Sequence, residues 1–99
     1  MRLQLQGNTL LAGGIAELNA ANATNFRDEA RAALVDSVKV LDVDLSATTF
    51  VDSSGLGALI ALHKTMIQRG GTVRILKPAA SVLQILELTR LHRILEIVK

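Results

Sequence analysis

The chain has no cysteine, no tryptophan and no tyrosine, and only one proline among its 99 residues. Without cysteine there is no disulfide framework, no thiolate metal site and no thiol nucleophile. Phe26 and Phe50 are the only aromatics, which argues against sites that stack bases or sugars. His63 and His92 lie far apart in sequence, so a metal centre has little to rest on and none is expected. Long apolar runs are also missing. The longest uncharged stretch, Leu3 to Ala16, is interrupted by Gln4, Gln6, Asn8 and three glycines, too short and too polar to cross a bilayer. Met1-Arg2-Leu3-Gln4-Leu5-Gln6 alternates where a signal peptide would be continuously apolar. A cytoplasmic protein without membrane insertion is the expectation.

What the chain does have is aliphatic residues: 49% of it is hydrophobic. A chain of this length buries roughly two-thirds of its unfolded surface, enough for one core without a structural metal or disulfide. One domain over residues 1–99 is expected. Residues 1–50 carry 4 basic and 6 acidic side chains, and residues 51–99 carry 7 basic and 3 acidic. The second-half excess is scattered between Lys64, Arg69, Arg90 and Arg93, so it lacks the density of a nucleic-acid face, and no direct nucleic-acid partner is expected.

Strand and helix signals alternate along the chain. Met1, Leu3 and Leu5 against Arg2, Gln4 and Gln6 have the period of a strand with one wet face. Gly7-Asn8 is a turn signal, and Thr9 to Ala12 completes a hairpin that Gly13-Gly14 ends. Ala23, Phe26, Ala30, Ala33 and Leu34 recur at helical spacing within a helix from about Ala20 to Val35, with Asn19, Asn22 or Thr24 as its cap. Val38, Val40, Leu41, Val43 and Leu45 enclose Asp42 and Asp44 in a pattern of a buried central strand.

After a connection from Ser46 to Val51, Asp52-Ser53-Ser54-Gly55 opens a helix whose apolar face comprises Leu56, Leu59, Ile60, His63, Met66 and Ile67. Gly70-Gly71 ends it. Thr72 to Leu76 is a strand, Ser81 to Leu88 a third helix with Val82, Ile85 and Leu86 inward, Leu91 to Ile94 a short turn, and Leu95 to Val98 a last strand. The order β-β-α-β-α-β-α-β predicts an α/β fold with a mixed sheet of about four to five strands covered by helices.

One segment stands apart. Asp52-Ser53-Ser54-Gly55-Leu56-Gly57 follows a buried strand and places two glycines at the start of a helix, where each costs about 1 kcal/mol relative to alanine. Two readings of these residues stand side by side. Asp52 or Ser53 is an ordinary N-cap and Gly55 allows close helix–sheet packing. Alternatively the bare backbone lets another surface approach a hydroxyl at a helix N-terminus, where an attached phosphate is tolerated. Enzymatic readings lack their motifs. Neither serine has Gly two residues before it, as a nucleophile elbow requires. Gly55-x-Gly57 is followed by Ile60 where a dinucleotide loop has its third glycine, and no Gly-Lys-Ser/Thr is present. His63 reads as a packed or rim histidine and His92 as a surface turn residue. The chain is not expected to be an enzyme.

Phe50-Val51-Asp52-Ser53-Ser54-Gly55-Leu56-Gly57 resembles the signature of STAS domains, which occur in anti-anti-sigma factors, stressosome proteins, anion transporters and lipid-transport complexes. Gly70-Gly71-Thr72-Val73 and Leu76-Lys77-Pro78, followed by Val82 to Thr89 and Leu91, extend the resemblance over nearly the whole chain. It implies a single STAS domain acting as an anti-sigma factor antagonist, a phosphoprotein of bacterial transcription regulation and signal transduction. Its partner would be a protein that is both anti-sigma factor and serine kinase. Ser53 would be the phosphorylated residue, and Asp52, Ser54, Gly55, Leu56, Gly57 and Asn19 would form the partner-binding surface, with no cofactor.

The alternative within the same family is a constitutive docking subunit on the ATPase of an ABC-type lipid transporter. Two positions depart from the family pattern. Asn19 or Glu17 stands in for an aspartate that switch members carry after the second strand, and Arg90 stands where glycine is common.

Overall fold

The computed structural model describes residues 1–99. Strands β1 (Arg2–Gln6) and β2 (Thr9–Gly13) form the hairpin, β3 (Glu17–Leu18) precedes helix α1 (Ala23–Ala33), and β4 (Val40–Asp44) follows it. Next come β5 (Phe50–Val51), α2 (Ser53–Gln68), β6 (Thr72–Leu76), α3 (Ala80–Leu88), a 3-10 turn at Leu91–Arg93 and β7 (Glu96–Val98). The main sheet has five strands in the order β1-β2-β4-β6-β7, with β1 antiparallel to β2 and the remaining pairs parallel. The expected mixed α/β fold is what forms. Beside it lies a small sheet in which β3 and β5 pair in parallel, β5 falling in the segment Ser46 to Val51 expected as a connection.

The direction of growth decides where the helices go. From β2 to β4, β6 and β7 each parallel strand is added on the same side of the last. Right-handed crossovers that always step the same way place α1, α2 and α3 on one face. Helices therefore cover one face of the sheet, and not both.

Burial follows this rule. Leu10, Ala12, Leu41, Val43, Val73 and Ile75 point into the core, whereas the alternate positions Leu11, Val40, Asp44, Thr72, Arg74 and Leu76 are half-buried on the open face. Asp42 reads in sequence as part of a buried strand, and it is buried, but through a bidentate ion pair on that open face. Its oxygens accept from Arg74 Nε and a terminal guanidinium nitrogen at 2.7 and 2.8 Å. Because β4 and β6 pair Asp42 with Arg74 directly, the two side chains meet across neighbouring strands.

Several local readings shift. α1 begins at Ala23 and not near Ala20, because the N–H groups of Asn22 and Ala23 turn back to the carbonyl of Asn19. Asn22 occupies the cap position without capping through its side chain, which instead accepts from Asn19 N–H and donates to the Glu17 carbonyl.

In α2 the inward row is Gly55, Ala58, Leu59, Leu62 and Met66; Ile67, expected inside, is 57% exposed. Almost every position from Leu56 to Met66 is apolar or small, so periodicity alone left the rotation of this helix open. β1, expected to bury one face, is exposed along its whole length. α1 packs chiefly on α2 and leaves the edge strand uncovered.

Gly70, at φ +73, supplies the left-handed step that ends α2. Arg69 secures the same corner by donating to the carbonyls of Leu34 and Val35 at the end of the α1 segment. Arg90 also takes a left-handed φ of +61, a conformation that glycine adopts at less cost than a residue with a side chain.

On the open face, Asp44 accepts a hydrogen bond from Ser46 N–H at 2.9 Å. That bond, helped by the Ser46 hydroxyl and by the charges of Lys77 and Arg2, holds its carboxyl below the ordinary carboxylate range. A carboxylate stabilised in the folded state contributes fully above its unfolded pKa and loses that contribution as pH falls through the folded value. The stability difference between wild type and Asp44→Asn is expected at neutral pH and should shrink as pH drops below about 4. Urea midpoints at neutral and acid pH check this, and a pH-independent difference would contradict it.

Candidate functional site

The motif Asp52 to Gly57 sits where β5 runs into α2, and the chain folds there around one carboxylate. Asp52 is the N-cap of α2, in extended conformation, with Oδ1 accepting from Gly55 N–H at 3.0 Å. Its Oδ2 accepts from Ala20 N–H, also at 3.0 Å, across 32 residues of sequence. A single side chain thus ends one orphan donor of the helix and anchors the loop that leads into α1.

The backbone reinforces the junction, since Asp52 N–H donates to the Leu18 carbonyl and Thr49 N–H to Ala16. Thr48, 1% exposed, donates its hydroxyl to the Ile15 carbonyl at 2.6 Å. Thr48 was not legible as a site residue, because a lone threonine in a polar connection carries no distinguishing signal.

The two glycines of the motif do different things. A Cβ on Gly55 would lie 2.3 Å from the Leu18 carbonyl oxygen and 2.9 Å from its carbonyl carbon, so its missing side chain lets α2 lie against β3. Gly55 is buried and does not belong to a partner-facing surface, which corrects the role expected for it. Gly57 has nothing within 4 Å of its would-be Cβ and lies on the surface. Its bare backbone is available to something outside the molecule.

Ser53 and Ser54 are both exposed in the first turn of α2, and Leu56 is half-buried with its side chain on the core. Asn19 is half-buried and locked into the loop: its Oδ1 accepts from Ala21 N–H and its Nδ2 donates to Glu17. The fold therefore brings Asn19, Asp52, Ser53, Ser54 and Gly57 to one end of the α1–α2 pair.

A groove of about 330 Å³ runs between the two helices there, lined by Ala20, Ala23, Thr24, Arg27, Ser54, Gly57 and Ala58. Its alanines and Gly57 make a floor without long side chains. Arg27 is the one full charge on its wall, partly neutralised by Asp28 at 3.0 Å. Sequence reasoning missed the α1 half of this groove, because nothing in Ala20 to Arg27 marks it until α1 is packed against α2.

Asp52 should be the most consequential polar residue of the site. Asp52→Ala removes the cap and the tie to Ala20 together and is expected to cost about 2 kcal/mol. Asp52→Asn, which keeps an acceptor for Gly55 N–H, should recover part of that loss. Urea unfolding of both variants checks the order.

Nothing in this arrangement assembles a nucleophile with a base, and no group of histidines and carboxylates is placed to hold a metal ion. No helix is long and apolar enough to cross a membrane. What the geometry defines is a small α/β domain with an exposed hydroxyl at the head of a helix.

The STAS domain family model matches residues 3–99, and the chain belongs to this family. A search of curated proteins finds no match. Among solved structures, the chain is similar to a candidate anti-sigma factor antagonist of Thermotoga maritima, with 25% identity and a TM-score of 0.86 over 99% of this chain and 85% of that one. It also superposes on SpoIIAA, an anti-sigma factor antagonist in unphosphorylated form, with 18% identity and a TM-score of 0.85 over 99% of this chain and 87% of that one. A third likeness is to the murine anion transporter Slc26a9, with 21% identity and a TM-score of 0.71, covering 91% of this chain and 15% of the transporter.

Proposed function

We propose that the chain is an anti-sigma factor antagonist whose docking surface is switched by phosphorylation of Ser53. The observation that carries this reading is the position of Ser53: exposed, first in α2, directly after the aspartate that anchors the junction, and one turn from the bare backbone of Gly57. The unmodified surface would bind a protein that is both anti-sigma factor and serine kinase, and the modified surface would release it. Such a protein acts by binding, in a bacterial cytoplasm, and not by catalysis of its own.

The likeness to SpoIIAA, solved in unphosphorylated and phosphorylated forms, supports a family fold compatible with both states. The physics agrees. The N–H groups of Ser53 and Ser54 have no partner within the helix, so added negative charge at this helix start is accommodated by the dipole. At the same time about −1.5 to −2 charges would appear in the middle of the surface a partner must cover.

Incubation with the cognate kinase and ATP should add one phosphate to Ser53, read by intact mass and peptide mapping. Modification at another residue would overturn the assignment. Retention of a transporter ATPase, equal for wild type and Ser53→Ala, would instead favour constitutive docking.

A further inference from the structure

The sheet has two edges, and they are built differently. β7 is three residues long and carries Glu96, with Lys99 just beyond, the short and charged form that discourages pairing. β1 is five residues long, pairs only with β2, and carries Arg2 as its single charge. Long, exposed and almost uncharged, its outer edge is a template for another strand.

The hydrogen-bond phase of that edge follows from the next pairing along. Asn8 O accepts from Val40 N–H at 3.1 Å, so along β2 the even-numbered groups face β4 and those of Thr9, Leu11 and Gly13 face β1. Their partners in register are Gln6, Gln4 and Arg2. Because the bonds of antiparallel neighbours alternate, the N–H and C=O groups of Leu3 and Leu5 are left pointing away from the sheet. Their side chains lie on the helix-covered face, opposite buried Ala12 and Leu10, yet remain 37% and 50% exposed.

We infer that β1 pairs antiparallel with β1 of a second copy of this chain, about a two-fold axis through Gln4. In that register Leu3 of each copy exchanges both bonds with Leu5 of the other, so the free groups satisfy one another. The leucine side chains of the two copies form one continuous row. Arg2 lies opposite Gln6, and Gln4 opposite Gln4, so no like charges face each other. A register centred on residue 2 would instead set Arg2 against Arg2, and registers centred on Leu3 or Leu5 shorten the overlap. The strand is thus complementary to itself in both hydrogen bonding and charge, as an isologous two-fold contact requires. The interface is one strand wide, below the ~1,200 Å² of stable assemblies, so the dimer is weak and concentration-dependent. It lies away from the α1–α2 groove and is independent of the reading of Ser53.

Sedimentation equilibrium from micromolar to millimolar protein should show reversible monomer–dimer exchange. Gln4 is exposed, so Gln4→Lys should leave the melting temperature unchanged while weakening the dimer about fivefold by setting like charges across the axis. Gln4→Glu alone should weaken it similarly, and an equimolar mixture of the two variants should associate at least as well as wild type. Amide exchange should slow at Leu3 and Leu5 with rising concentration and stay constant at Gln4. A wild type that remains monomeric at millimolar concentration overturns the proposal. So does a dimer indifferent to both Gln4 variants, or concentration-dependent protection confined to another surface.

Discussion

Gly55→Ala should be among the most destabilising single-methyl additions in this chain, lowering stability by about 3 kcal/mol. The added Cβ would stand 2.3 Å from the carbonyl oxygen of Leu18. That oxygen cannot rotate aside, because it accepts from Asp52 N–H at 3.1 Å in the junction that positions the start of α2. Relief requires moving β3 or the first turn of α2, and either movement strains the Asp52 bonds to Gly55 and Ala20. For a domain of this size the loss corresponds to a melting temperature lower by about 15 °C.

Gly57→Ala is the matched control, since a Cβ there meets nothing within 4 Å. At a helix position alanine is favoured by about 1 kcal/mol, so this variant should be slightly more stable than wild type. Thermal unfolding of the pair separates the two roles. If Gly57→Ala keeps its fold but loses partner binding, the bare backbone at residue 57 is a docking feature; equal destabilisation by both changes would contradict the division.

Ser53→Asp should weaken partner binding about a hundredfold, a loss of ~3 kcal/mol, while leaving the protein as stable as wild type or slightly more so. The opposite signs come from one location. Facing inward, the carboxylate sits at the positive end of α2, where acidic groups gain about 0.3–1 kcal/mol. Facing outward, it places a charge in the surface proposed to meet the partner, beside the alanines and Gly57 of the groove. Ser53→Ala should bind as wild type does and resist phosphorylation. Affinity by calorimetry and stability by thermal unfolding, measured on the same three proteins, test both halves. Unchanged affinity in Ser53→Asp would point to constitutive docking and against a switch.

Much of this architecture is legible in the sequence because local signals agree. The alternation of Leu41 and Val43 with Asp42 and Asp44, the glycine pair closing α2 and the Asp52 cap are each read over a few residues, and each lies where expected. The misread parts share a different cause. β3 and β5 are two residues each and owe their existence to pairing between segments more than thirty residues apart. Nothing in Glu17-Leu18 or Phe50-Val51 alone has the length to register as a strand. Ile67 lies outside and Leu62 inside because an almost uniformly apolar helix takes its rotation from what it packs on.

By itself, the sequence determined the α/β order, the absence of thiol chemistry, and a serine at the head of a helix beside a capping aspartate. These depend on residue type and short-range spacing. Tertiary structure alone decided which of the two motif glycines packs inward, that a groove forms between α1 and α2 beside Ser54, and that one sheet face and the β1 edge stay open. Each of those depends on the order in which strands join the sheet and on contacts between residues distant in the chain, which no local pattern encodes.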